Sequence, residues 1–278
     1  MSESLKVQND VQTDVQNEDG PKKNREFLDP LHSDRGGVAG HLESFLRRFK
    51  NFVHFVLIVP LASSIVLALG LSAVPGIAIY RGLTLWASGS SFFVECFVMG
   101  VASALGYFAF GLTLLLVIPA VNLLIGRKLH PWRGPYYSLE AIRWYLHNAY
   151  TYIPRYMFLE FVTPTPFSIM FYKLMGMKIG HGSAINTTNI SDPSLIEIGK
   201  KVTIGGSVTL IGHYGQGGYL VLAPLRIHDG ATIGLKATLM GGVTIGPNAK
   251  ILPHSIVLPK TQVPAGETWG GVPAVKLP

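Results

Sequence analysis

The chain has 278 residues, enough for two modest domains, with 48% hydrophobic and only 14% charged residues, an oily balance for a water-soluble protein. Its net charge of +7 is not gathered into one run and does not alternate with aromatics, so no nucleic-acid partner is expected, and acidic phospholipid headgroups or a phosphate-bearing cofactor fit better. The lone cysteine, Cys96, lies in an apolar stretch, which excludes an intrachain disulfide and a cysteine-cluster metal site.

Residues 1–36 are rich in Asn, Asp, Glu, Gln and Lys, the composition of a disordered tail, and they lack the basic-then-apolar order of a signal peptide. Region 37–135 opens with Leu42, Phe45, Leu46 and Phe49 at helical spacing beside Arg47, Arg48 and Lys50, the pattern of an amphipathic helix at a membrane surface. Residues 51–80 hold no group charged at neutral pH, and residues 96–126 lack Asp, Glu, Lys and Arg. Each stretch exceeds the roughly 20 residues that cross a bilayer; the alternative is a buried core helix. Pro60, Pro75 and Pro119 kink these spans or mark their ends. Arg47, Arg48 and Lys50 precede the pair and Arg127, Lys128 and Arg133 follow it, whereas the connection carries only Arg81. The positive-inside rule therefore puts both ends in the cytoplasm, in an integral protein of the cytoplasmic (inner) membrane.

Region 136–176, which contains "YYSLEAIRWYLHNAYTYIPRYMFLEFVTPTPFSIMFYKLM", mixes aromatics with Arg143, Arg155 and Lys173. It predicts two or three helices in or near the interface, broken around Pro154 and the Pro164/Pro166 pair. A soluble helical cap over the next region has the same periodicity.

Over residues 177–278 the period becomes six. Ile179 and Ile185 are followed by Ile198, Ile204 and Leu210, and then by Ile227, Ile233, Leu239, Ile245, Ile251, Val257, Val263 and Trp269 without a break. A small or β-branched residue sits four positions after most of them, as Val202, Ala231, Ala237 and Ala249 do. Two inward positions per six residues describe a short strand and a turn, three of which close one triangular coil of a parallel β-helix. Glycine often follows the aliphatic and is expected to supply turn conformations closed to other residues.

This repeat, with the ending "WGGVPAVKLP", resembles the hexapeptide-repeat acyltransferases. Within them "TTNISDPSLIEIG" and "LIGHYGQGGYLVLAPLRI" are most similar to the membrane-attached C-terminal β-helix modules of nonribosomal-peptide-synthetase-like proteins, and more distantly to sugar and antibiotic O-acetyltransferases. The resemblance implies a left-handed coil and a homotrimer; period six alone implies only a β-helix. The fold class expected is thus a membrane α-helical N-terminal region followed by an all-β left-handed parallel β-helix.

Ile227 follows Leu210 by 17 positions, one short of three hexads, so the coil is interrupted at "GHYGQGG", and loops on rigid scaffolds are where function concentrates. The resemblance implies that His213 is the general base, taking a proton from an acceptor hydroxyl or amine as it attacks the thioester of acyl-CoA. It implies further that the Leu235 N–H stabilises the oxyanion, that Gly241, Gly242 and Pro253 line a pantetheine groove, and that Lys260, Gly271 and Lys276 meet the nucleotide end. Asn189 and Asp192 match the acceptor pocket. Plainer readings stand beside these: a surface histidine, solvated lysines, and a turn before Pro193. Some left-handed β-helices are zinc carbonic anhydrases, but His181, His228 and His254 occupy differing hexad positions, so no metal is expected. The function implied is a membrane-anchored acyltransferase moving an acyl group, acetyl above all, from acetyl-CoA to a membrane-associated acceptor, lipid-linked or delivered by a membrane synthase. The opposing class is a non-catalytic trimeric scaffold, which has no need of a histidine in the interrupted coil.

Overall fold

The computed structural model describes residues 36–125 and 128–278. The expected tail, apart from Gly36, and Arg127 among the flanking bases lie outside the described residues. Helix α1 (Gly37–Arg48) buries Leu46 and leaves Leu42, Phe45 and Phe49 outward. Arg47 is not a solvated base: it is buried against Glu43, 3.4 Å away.

Helices α2 (Lys50–Ala87) and α3 (Phe92–Ile125) form an antiparallel pair, and each is long and apolar enough to cross a membrane, over Ile58–Ala87 and Phe92–Leu124. Their outer faces expose Leu67, Trp86, Phe93 and Leu124, a continuous apolar surface of the kind water-facing proteins avoid. The helices touch where Gly76 meets Gly106; a Cβ on Gly76 would lie 2.4 Å from the Gly106 carbonyl oxygen, so only glycine permits that approach. Pro60, Pro75 and Pro119 lie inside the helices and end neither. Arg81 also falls within α2, which shortens the connection to residues 88–91.

Strand β1 (Trp132–Pro135) leads into helix α4 (Leu139–Met157), a 3-10 turn (Leu159–Val162) and helix α5 (Pro166–Leu174). Ser138 caps α4 by accepting from the Ala141 N–H at 3.2 Å, and Glu43 accepts from the Leu139 N–H at 3.3 Å. Pro154 does not break α4; it sits in the last turn, where its carbonyl accepts from the Phe158 N–H at 2.9 Å, and the chain leaves the helix only at Phe158. One stripe of α4 meets the apolar pair, with the Tyr150 hydroxyl 2.8 Å from Ser64 Oγ and His147 Nδ1 3.2 Å from Asn122 Oδ1. The adjoining stripe, Asn148, Tyr152 and Arg155, bonds to the first coil of the β-helix at Asp192, Ser191 and Asn189.

That β-helix has three parallel faces. The first stacks β2 (Lys178–Ile179), β5 (Ile196–Ile198), β10 (Leu225–Ile227), β13 (Thr244–Ile245) and β16 (Gln262–Val263). The second stacks β3 (Ala184–Ile185), β6 (Thr203–Ile204), β11 (Thr232–Ile233), β14 (Lys250–Ile251) and β17 (Thr268–Gly271), with β18 (Ala274–Lys276) folding back antiparallel on β17. The third stacks β4 (Ile190–Ser191), β7 (Thr209–Ile211), β12 (Thr238–Leu239) and β15 (Ile256–Val257). The register joins like to like: Ile198, Ile227, Ile245 and Val263 form one ladder, and Ile204, Ile233, Ile251 and Trp269 another. Ile190 is a rung the hexad spacing missed, because the first coil is irregular.

The glycines correct one expectation. Those that follow the inward aliphatic are there for clearance: a Cβ on Gly246 would lie 2.6 Å from the Ala265 nitrogen of the next coil. The left-handed backbone falls two residues later, and there Lys201, Lys236, Asn248, His254 and Lys260 adopt it as well as Gly242.

Candidate functional site

The interruption after β7 is a β-hairpin. Strand β8 (His213–Gln216) pairs antiparallel with β9 (Tyr219–Leu222), and β9 pairs on its other edge with β1, so that Trp132 and His213 both oppose Leu222. Leu220 and Leu222 pack into a small cluster with Leu129, Ala141 and Leu195, flanked by Trp132 and Trp144. The chain just after α3 thus forms the outer strand of the sheet that carries His213.

His213 Nδ1 lies 2.5 Å from Asp192 Oδ2; the histidine side chain is 25% exposed and the aspartate 0%. The same Oδ2 accepts from the Gly212 N–H at 3.1 Å, and Oδ1 accepts from Asn148 Nδ2 at 2.6 Å. Three donors therefore converge on one buried carboxyl, which assigns the ring proton to Nδ1 and leaves the Nε2 lone pair without a protein partner among the described residues. The Trp144 ring packs edge-on against the imidazole at 4.9 Å and 71°, fixing its plane. A carboxylate holding one imidazole nitrogen while the other is free is the arrangement of an oriented general base. Nearby, burial pushes His147 down to about 4, with the Asp192 charge acting the opposite way, so it is neutral in this wall.

Of the two residues expected to border the acceptor pocket, Asp192 is the buried partner of His213, and Asn189 accepts from Arg155 and donates to the Ser207 carbonyl. Gly241 abuts the hairpin root, where a Cβ would lie 3.1 Å from the His213 nitrogen. Its carbonyl accepts from the Lys260 N–H at 3.2 Å, and Gly242 packs against Lys260. These residues share the edge between the third and first faces. Leu235 and Pro253 lie on the edge between the second and third: the Leu235 carbonyl accepts from the His254 N–H at 2.8 Å, and Pro253 crowds Gly234. Gly271 joins that side by donating to Ser255 Oγ at 3.2 Å. Lys276 is ion-paired at 2.7 Å with Glu267, whose carboxyl it holds below the usual range. One chain thus spreads the implied cofactor residues over separate edges, with Lys276 beside Glu267 on the edge between the first and second faces. Sequence reasoning missed Asn148 and Trp144, which reach the site only because α4 docks there.

Among the described residues no group of three or more His, Cys, Asp or Glu could hold a metal; His181 and His228 lie at a different edge from His254.

No family model matches the chain. Delta-poly-L-ornithine synthetase of Acinetobacter baumannii (strain AB307-0294) is 30% identical over 146 residues, covering 52% of this chain and 11% of that protein. Mitochondrial gamma carbonic anhydrase 2 of Arabidopsis thaliana is 39% identical over 90 residues, 31% of this chain and 32% of that one. The chain therefore spans about a tenth and about a third of the length of these relatives. A hexapeptide-repeat containing acetyltransferase from Vibrio cholerae aligns with a TM-score of 0.37 at 20% identity, over 49% of this chain and 91% of that one. The class that the coils define is the hexapeptide-repeat β-helix, as the resemblance in the sequence implies.

Proposed function

We propose that the protein is a membrane-anchored acyltransferase that moves an acetyl group from acetyl-CoA to a hydroxyl or amine. The observation that carries this reading is the His213–Asp192 pair at 2.5 Å on the interrupted coil. His213 Nε2 takes the proton as the acceptor oxygen or nitrogen bonds to the thioester carbon; the C–S bond then breaks and the CoA thiolate recovers that proton. A scaffold would have no use for a buried carboxylate aimed at a partly exposed imidazole.

Gly241, Gly242 and Lys260 form one wall of the CoA groove, and Leu235, Pro253 and Gly271 form the other, with Lys276 further round at the C-terminal end for the nucleotide. Because these walls lie on different edges, the complete groove forms between two chains of a closed homotrimer, in which the neighbour's Leu235 N–H faces the oxyanion. Helices α2 and α3 span the membrane with the β-helix on the cytoplasmic side, where acyl-CoA is available.

The test is CoA release from acetyl-CoA by the full-length protein in nanodiscs supplied with membrane extract. His213→Ala should lose at least about two orders of magnitude, the usual worth of a general base, with trimer mass unchanged. Near wild-type turnover in His213→Ala would remove the mechanism.

A further inference from the structure

A cavity of about 400 Å³ lies where α1, the near end of α2 and the first half of α4 meet, and Leu46, Ile58, Leu61, Ile142, Trp144 and Tyr136 are among its walls. That size falls within the roughly 300–1,000 Å³ of ligand sites; no wall residue is charged, so the phosphates of a nucleotide find no counter-charge in it, and its polar groups are tyrosine hydroxyls and the Trp144 indole N–H on an otherwise apolar lining. Two walls belong also to the candidate site. Trp144 packs against the His213 ring at 4.9 Å, and the Tyr136 hydroxyl reaches β8, where a Cβ on Gly215 would lie 3.1 Å from it. Tyr136 and Trp144 themselves meet edge-on at 6.5 Å. At the opposite side Ile58 begins the apolar span of α2, and its side chain is half exposed.

We infer that this cavity receives the hydrocarbon chain of the acyl acceptor, which enters from the bilayer beside Ile58 and brings its terminal hydroxyl or amine past Trp144 to His213. The acceptor is thus a single-chain amphiphile with a small polar head. Its alkyl part supplies the binding energy by leaving water or lipid for a preformed apolar slot, and it positions the head at the base. CoA, being water-soluble and highly charged, approaches from the β-helix edges and does not compete for this space. The inference rests on the acyl-transfer reading for the fate of the head group, but its binding step stands on the cavity alone.

The experiment uses full-length protein in phosphatidylcholine nanodiscs with a hexadecanol carrying a mid-chain diazirine, and maps photolabelled peptides by mass spectrometry. Label should concentrate on residues 136–146 of α4 and its approach, be competed by unlabelled hexadecanol but not by added phosphatidylcholine, and persist in His213→Ala. Filling the cavity by Ile142→Trp should cut this label about tenfold or more, and Leu61→Trp, which fills it from α2, guards against misfolding of the first variant. With acetyl-CoA present, acetyl should appear on the probe oxygen and fall in step with the label in both variants. Label confined to the outward faces of α2 and α3, displaced by phosphatidylcholine, or unchanged in both filled variants overturns the inference. Label in the cavity without acetylation of any tested alcohol would sink the transferase reading and leave the binding inference intact. Acetylation of water-soluble alcohols with no cavity label would do the reverse.

Discussion

Asp192 adopts φ 60° and ψ 51°, a left-handed backbone that aspartate tolerates better than most residues, directly before Pro193. That conformation aims its carboxyl back into the coil, where Gly212, His213 and Asn148 all donate to it. Replacing Asp192 by Asn presents an amide to a set of donors; turnover should fall by about two to four orders of magnitude, while stability falls by about 1–3 kcal/mol for the unsatisfied buried group. Asn148→Ala removes one donor but leaves the His213 contact, so it should cost similar stability with a far smaller loss of activity. If kcat and Tm fell in parallel across the two variants, Asp192 would be only the anchor of α4. His147 provides the pH test. Its folded value of about 4 lies below the ordinary 6.5, so its contribution is complete above pH 6.5 and is lost as pH drops towards 4. The loss is on the order of 3 kcal/mol, and the dependence of Tm on pH in that window should flatten in His147→Gln. The broken spacing marked the segment that carries His213, and the family resemblance singled out the histidine within it. The role of Asp192 was not, since the bond that reveals its second partner joins residues 44 apart through the docking of α4.

At the scale of the coil, position within the hexad decides what a glycine is for. Gly246→Ala should destabilise by about 2 kcal/mol or more, because a methyl group 2.6 Å from the next coil's backbone forces the stack apart. Lys236→Gly, at φ 55°, should be neutral or stabilising by up to about 1 kcal/mol, since it trades left-handed strain against chain entropy. Denaturant midpoints of the two variants check the pair, and a reversed order would mean that the coils do not stack this tightly. The ladders were readable because each rung is set by chemistry local to six residues. The hairpin was not, because β9 is held on its outer edge by β1, more than 80 positions earlier, and a four-residue strand ending in Pro135 carries no pattern of its own. Ile190 escaped for a similar reason: it follows Ile185 by five residues and precedes Ile198 by eight, so it falls on no hexad.

Across the whole molecule the buried core runs without a gap from Leu61 and Leu115 of the apolar pair, through Tyr150, Phe158 and Phe171, to Val263 at the far end of the β-helix. In the proposed topology a Cys96→Ser background carrying Ser90→Cys should react with an impermeant maleimide on intact cells, whereas Lys250→Cys should react only after permeabilisation. Reaction of Lys250→Cys on intact cells would invert the orientation and remove cytosolic acyl-CoA as donor. The two-edge groove makes a separate prediction. His213→Ala and Pro253→Trp, each inactive alone, should recover activity when co-expressed, with about a quarter of the grooves intact under random mixing in a closed ring. No recovery would mean that each site is built within one chain. The helices that close the near end of the solenoid, with Tyr172 bonded to the Thr188 carbonyl and Phe171 and Met175 in the shared core, all precede the first coil in the chain. Synthesis from the N-terminus therefore lays down the membrane pair, then the platform, then the coils in order. Each new rung leaves the ribosome to find the surface it stacks on already in place, and the solenoid grows away from the bilayer as a template-directed process.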